Sequence, residues 1–165
     1  MRDPAATMKI LIVKLSAIGD VIHTLPALTA LRRHYPEARI DWLVEDAAAD
    51  LVQEHAALSR ALVWPRREFL KLLKAGNLSP AIRLFLTLLL QLRDTRYDLI
   101  IDFQALLKSS LWIFLSKGRR KAGFGPGMEH AEKSHLFLNE RIPAVSMGVH
   151  ALDRGLTLLQ ALGIP

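Results

Sequence analysis

Cysteine is absent from the 165 residues. Disulfides, thiolate metal sites and a cysteine nucleophile go with it, although the absence fixes no compartment. No stretch reaches the ~18 uninterrupted apolar residues of a spanning helix; the most apolar region, Ile82 to Leu92, is broken by Thr87 and Gln91. Residues 1–7 hold one arginine, one aspartate and no apolar run, so they do not read as a secretory signal. They are read as a disordered leader, with Met8 as an alternative start. The chain contains neither G-x-G-x-x-G nor a P-loop, which argues against a dinucleotide site. None of its histidines forms an H-E-x-x-H pair, so no metal is expected. Internal repeats and low-complexity segments are missing too. Acidic residues are outnumbered, 16 against 22 basic ones, giving a net charge of +6. That excess suits phosphates, acidic sugars, nucleic acid or anionic lipid, but also describes a merely basic soluble protein. The chain is read as soluble and cytoplasmic, with peripheral contact to a membrane left open.

What is present alternates. Lys9 to Lys14 is a short continuous apolar run of the kind buried on both faces of a parallel sheet. Further strands are predicted at Arg39–Val44, Ala61–Trp64, Tyr97–Asp102, Lys121–Phe124 and, more shortly, His135–Leu138. Helices are predicted at Val21–His34, Ala47–His55, Arg66–Ala75, Pro80–Asp94, Leu106–Ser116 and Val145–Leu162. Pro26 is expected in a first turn or at a kink, and Ser79 is expected to cap the helix that Pro80 opens. Strands alternating with helices give an α/β fold: a parallel sheet with helices on both faces and right-handed crossovers. In such sheets ligands bind beyond the carboxyl ends of the strands. That singles out the loops after Lys14, Val44, Trp64 and Asp102.

Four features in those places could carry chemistry. In the first loop, Lys14 to Asp20, Gly19 would allow a tight turn and a close ligand approach, and Asp20 would stand near a helix N-terminus. A carboxylate there either caps the helix or, kept ionised, accepts a proton. In the segment Pro65 to Lys74, about 100° per residue puts Arg67, Lys71 and Lys74 on one face and Phe69, Leu72 and Leu73 on the other. The basic face is either solvated or set to meet phosphates and carboxylates. After Asp102, Gln104 and Lys108 are four apart and could share a helix face near the cleft; alternatively Asp102 and Gln104 cap and Lys108 is solvated. The helix around Ile82–Leu92, polar only at Arg83, Thr87, Gln91 and Asp94, is either buried or lies in a membrane interface.

The run from Met8 to Leu28, MKILIVKLSAIGDVIHTLPAL, resembles the opening of the heptosyltransferases of glycosyltransferase family nine, most of all their heptosyltransferase I branch. The likeness continues through Ile40–Glu45, Arg66–Arg67, Tyr97–Gln104, Lys108–Ser109 and His150–Arg154. The resemblance implies a Rossmann-like domain, residues 8–165, forming the N-terminal, acceptor-binding half of a GT-B glycosyltransferase; the sugar-nucleotide half would be missing. It implies an inverting transfer of heptose from ADP-heptose to Kdo of the lipopolysaccharide inner core, with no cofactor and with Asp20 as general base. Acceptor contacts would fall on Lys14, Ser16, Gly19, Arg66, Arg67, Lys71, Gln104 and Lys108. The family has glycine where this chain has Ala105, and a basic acceptor contact in the stretch that holds His130. The implied partners are Kdo-lipid A and the inner leaflet of the bacterial inner membrane, with no nucleic acid. The implied location is cytoplasmic, peripheral to the inner face of that membrane. The rival reading is a non-catalytic anion- or lipid-binding module, or an inactive truncated fragment.

Overall fold

A computed structural model describes residues 7–129 and 132–165. Residues 1–6 of the expected leader, and His130, lie outside the described residues. Six strands form one sheet in the order β3-β2-β1-β4-β5-β6: β1 (Lys9–Val13), β2 (Arg39–Glu45), β3 (Arg60–Trp64), β4 (Tyr97–Asp102), β5 (Gly118–Phe124) and β6 (Glu140–Ile142). Every pairing is parallel. This is the doubly wound order, which reverses direction between β1 and β4 and opens a crevice there.

The apolar runs read as doubly buried strands because they are. Ile10 and Ile12 face one side, Leu11 and Val13 the other, and all four are fully buried. On the first side, α1 (Ile18–His34) and α5 (Ala151–Ala161) cover Ile10, Ile12, Trp42 and Ile101. On the second, α3 (Leu78–Arg93) and α4 (Leu107–Leu115) cover Leu11, Val13, Leu43 and Ile100. The short α2 (Arg66–Lys74) stands beyond the carboxyl end of β3 and packs on α3.

Several boundaries depart from expectation. Helix α1 starts at Ile18, because the first helical bond runs from Val21 N–H to Ala17 O at 2.9 Å. Pro26 therefore sits in its interior, and the helix runs on through it. Helix α3 starts at Leu78, so Ser79 is inside the helix and not its cap. The expected helix Ala47–His55 is a 3-10 segment, Asp46–Leu51. The expected strand His135–Leu138 is another, Ser134–Phe137, and the pairing falls to Glu140–Ile142 instead. Helix α5 begins only at Ala151, where His150 Nδ1 accepts the Leu152 N–H at 3.3 Å and so caps the helix. No helix among the described residues is long and apolar enough to cross a membrane.

Candidate active site

The crevice between β1 and β4 gathers most of the expected residues. Lys14 leaves β1 with its side chain only 10% exposed. Its Nζ donates to Phe103 O at 3.3 Å and stands 3.6 Å from Asp20 Oδ2. Burial pushes the Lys14 ammonium below its ordinary pKa, against the pull of Asp20 and Asp102. Asp20 lies in the first turn of α1 with its side chain half exposed. Its carboxylate pairs with Lys14 across the loop, and the N-cap position belongs to Ala17. The helix dipole favours its negative charge.

Gly19 is not required for the turn. It lies within the first turn of α1, and a Cβ built on it meets nothing within 4 Å. The backbone needs no glycine to turn there. What the missing side chain leaves is open space beside Asp20.

Gln104 lies before α4, not on it, and works as a staple. Its Oε1 accepts the N–H groups of Leu15 at 3.0 Å and Ser16 at 3.2 Å, tying the loop after β1 to the loop after β4. Beneath it Asp102 is buried. Its Oδ1 accepts the Gln104 and Ala105 N–H groups, each at 3.0 Å, and Ser109 Oγ donates to Oδ2 at 3.3 Å. Burial raises the Asp102 carboxyl to about 6, against those backbone bonds and the charge of Lys14. Ala105 holds φ at 55°, a left-handed conformation in which glycine would be at ease.

Lys108 Nζ donates to Ser16 Oγ and, at 3.1 Å, to Glu45 Oε1. Arg66 Nε approaches the same Glu45 oxygen at 3.9 Å. Arg67 enters through its backbone, its N–H donating to Asp46 Oδ2 at 3.1 Å. Lys71 stands apart, 79% exposed, with its ammonium 3.9 Å from Glu68. Lys14, Ser16, Asp20, Gln104 and Lys108 thus form one connected group, which Arg66 joins through Glu45. Below Glu45, Arg66 and Lys108 is a recess of about 170 Å³ floored by Trp64, Phe85 and Trp112. A hollow of about 990 Å³ lies elsewhere, between α1 and α5, lined by residues such as Leu25, Pro26 and Arg33, and none of the expected site residues borders it. Among the described residues, no group of three His, Asp or Glu side chains could hold a metal ion.

A family model described as glycosyltransferase family 9 (heptosyltransferase) matches residues 85–165. Lipopolysaccharide heptosyltransferase 1 of Pseudomonas aeruginosa is 36% identical over 160 residues, which are 96% of this chain and 44% of the relative. The protein of that name from Escherichia coli K12 is 31% identical over 147 residues, 89% of this chain and 45% of the relative. The structure of E. coli heptosyltransferase WaaC with ADP-2-deoxy-2-fluoro heptose matches with a TM-score of 0.83 at 33% identity, covering 96% of this chain and 49% of that one. The chain belongs to glycosyltransferase family 9. It spans about half the length of the curated relatives it matches.

One member of the site in this family 9 chain was not anticipated from its residue type. Glu45 closes β2, its side chain only 8% exposed, and receives both Lys108 and Arg66. Its place at the carboxyl end of a strand was the available signal, because the loop after Val44 lies at the ligand-binding edge.

Proposed function

We propose that this chain is the acceptor-binding, N-terminal part of an inverting heptosyltransferase that moves heptose from ADP-heptose to Kdo of the lipopolysaccharide inner core. Asp20 is the general base. The observation that carries the reading is its half-exposed carboxylate at the β1–β4 crevice, beside the open space at Gly19 and 3.6 Å from Lys14. In the reaction, the Asp20 carboxylate takes the proton of a Kdo hydroxyl as that oxygen attacks the anomeric carbon of heptose. The bond from that carbon to the ADP oxygen breaks, its electron pair leaves with ADP, and the configuration inverts. One carboxylate suffices, because attack and departure occur on opposite faces.

The acceptor's phosphates and carboxylates suit the guanidinium forks of Arg66 and Arg67 and the ammonium of Lys71 on α2. Lys14, Ser16, Gln104 and Lys108 hold the crevice floor in shape beneath it. ADP-heptose would bind a second domain, for which the greater length of the relatives leaves room. The acceptor, a Kdo-bearing lipid A, puts the enzyme at the cytoplasmic face of the inner membrane as a peripheral protein.

The test is transfer from ADP-heptose to Kdo-lipid A by an enzyme that contains both halves. Asp20→Ala is expected to lower the rate by about 10²–10⁴-fold, the usual contribution of a positioned base. Activity at the wild-type level would remove the assignment. The 165-residue chain alone is expected to show negligible transfer, and robust turnover by it would contradict a separate donor domain.

A further inference from the structure

The exposed apolar side chains of this protein are concentrated on one side. Along α3, Leu78, Ile82, Leu86 and Leu90 recur every four residues and are all exposed, Leu90 to 71%. A different stripe of the same helix, Ala81, Leu88 and Leu92, is buried against the sheet. Packing the core therefore accounts for one stripe and leaves the other without a purpose. On the neighbouring α4, Leu111 and Phe114 also point outward, Phe114 being 66% exposed. The two helices lie side by side, with Phe85 and Trp112 ring centroids 5.3 Å apart, so the outward stripes share one layer. The 3-10 segment after β5 extends it, where Phe137 meets Phe114 edge to face at 6.1 Å. An apolar surface of this extent marks an interaction site.

Its charge indicates the occupant. Helix α2 carries Arg66, Arg67, Lys71 and Lys74 against the single acid Glu68. Helix α3 adds Arg83 and Arg93 with no acid, while Lys108 of α4 turns into the crevice towards Glu45. Apolar side chains rimmed by bases match a surface that is apolar beneath and anionic above, which is a bilayer of acidic phospholipid. With 16 residues, α3 is about 24 Å long at 1.5 Å per residue, a length that lies along such an interface. Helix α2 links this layer to the crevice, since Arg66 reaches Glu45.

We infer that the outer face of α3 and α4, bordered by the basic α2, seats this protein on an anionic lipid surface. The inference deepens the transfer reading, whose lipid-linked acceptor it brings to the α2 rim.

The test is flotation of the chain with phosphatidylglycerol–phosphatidylethanolamine vesicles and with phosphatidylcholine vesicles. Binding is expected to the anionic vesicles, to be weak to the neutral ones and to fall as salt rises. Leu86→Glu combined with Leu90→Glu is expected to lower the partition coefficient by about tenfold or more. Ile22→Glu, an exposed position on α1 behind the opposite face of the sheet, should leave it unchanged. Because the chain has no cysteine, Leu90→Cys and Ile22→Cys also give single labelling sites in an otherwise unaltered fold. A polarity-sensitive dye at position 90 should shift to the blue on vesicles and one at position 22 should not. The inference is overturned by equal binding to both vesicle types, by undiminished binding of the double variant, or by equal dye shifts. It is overturned as well if lipid-free sedimentation shows a dimer that the double variant dissolves, since the face would then bind a second copy. Vesicle binding is read without ADP-heptose, so its failure leaves the transfer reading intact, and an active Asp20→Ala enzyme would leave vesicle binding intact.

Discussion

At the amino ends of β2, β3 and β4, Asp41 is fully buried and thoroughly partnered. Its carboxylate accepts the Tyr97 hydroxyl at 2.7 Å, Arg60 at 3.0 Å and Arg39 at 3.2 Å. Arg60 also grips Asp94 at 2.8 Å and holds that carboxyl down to about 2. Burial, then the Asp41 hydrogen bond, pushes the Tyr97 phenol well above its ordinary range. At the carboxyl ends, Asp20 is half exposed, and Lys14 approaches it at 3.6 Å without a close hydrogen bond. The first cluster spends its hydrogen-bonding capacity on fixing three strands against one another. The second keeps capacity in reserve, as the proposed proton transfer to Asp20 would require.

Breaking each end in turn separates the two roles. Asp20→Ala should cost two to four orders of magnitude in transfer, as stated above, yet shift the unfolding midpoint little, because a half-exposed ion pair is worth only about 0–1 kcal/mol. Asp41→Ala should do the reverse. It removes a buried carboxylate shared by three partners and leaves the enclosed Tyr97 hydroxyl without its acceptor, while Arg60 keeps Asp94, and should cost roughly 1–3 kcal/mol of stability, read by urea unfolding of the chain. If Asp41→Ala unfolded no more readily than Asp20→Ala, the contrast between the ends would fail.

Between these extremes lies Asp102, which belongs to the carboxyl end but is fully enclosed. Its carboxyl rises from the usual 3.8 to about 6 on folding. The folded chain thus keeps a proton that the unfolded chain has already released. The stability from this group is complete below pH 3.8 and is lost as pH rises through about 6, a decline of roughly 3 kcal/mol. Asp94 works in the opposite sense and at lower pH, its contribution fading only as pH falls from 3.8 towards 2. Asp102→Asn, which retains an oxygen for the two backbone N–H groups, should flatten the decline in a series of urea titrations across that range. An unchanged slope would locate the proton elsewhere. The smallest effect is at the same turn: Ala105→Gly relieves the positive φ and should add roughly 0.5–1 kcal/mol. A loss of stability there would mean that the alanine methyl group makes a contact of its own.

The parallel sheet was legible because its central strands are uninterrupted runs such as Leu11-Ile12-Val13, whose alternate side chains are all apolar. Strand β6 was not, since Glu140 and Arg141 offer no apolar rhythm and only Ile142 is buried. The start of β5, Gly118 to Arg120, was hidden by Arg119 and Arg120. Arg120 is neutralised by Glu140 across the strands at 2.8 Å, and Lys121 turns its ammonium to Ile113 O at 2.6 Å. Those partners are remote or out of phase, and no local pattern announces them. In the crevice, Asp20, Gln104 and Lys108 were singled out from their places after the strand ends, whereas Lys14 and Ser16 entered only through the family resemblance. Glu45 was passed over because its two partners, Arg66 and Lys108, lie 21 and 63 positions further along the chain.

The single amide of Gln104 makes the two halves of the crevice floor one mechanical body. A ligand that displaces the loop after β1 must drag the loop after β4 with it. Helix α2 is tied to the floor only at its first turn, through Arg66 to Glu45 and the Arg67 N–H to Asp46. On the proposed function, divergence towards a new acceptor would be cheapest on that helix, where side chains can be exchanged while the Asp20 carboxylate stays in register.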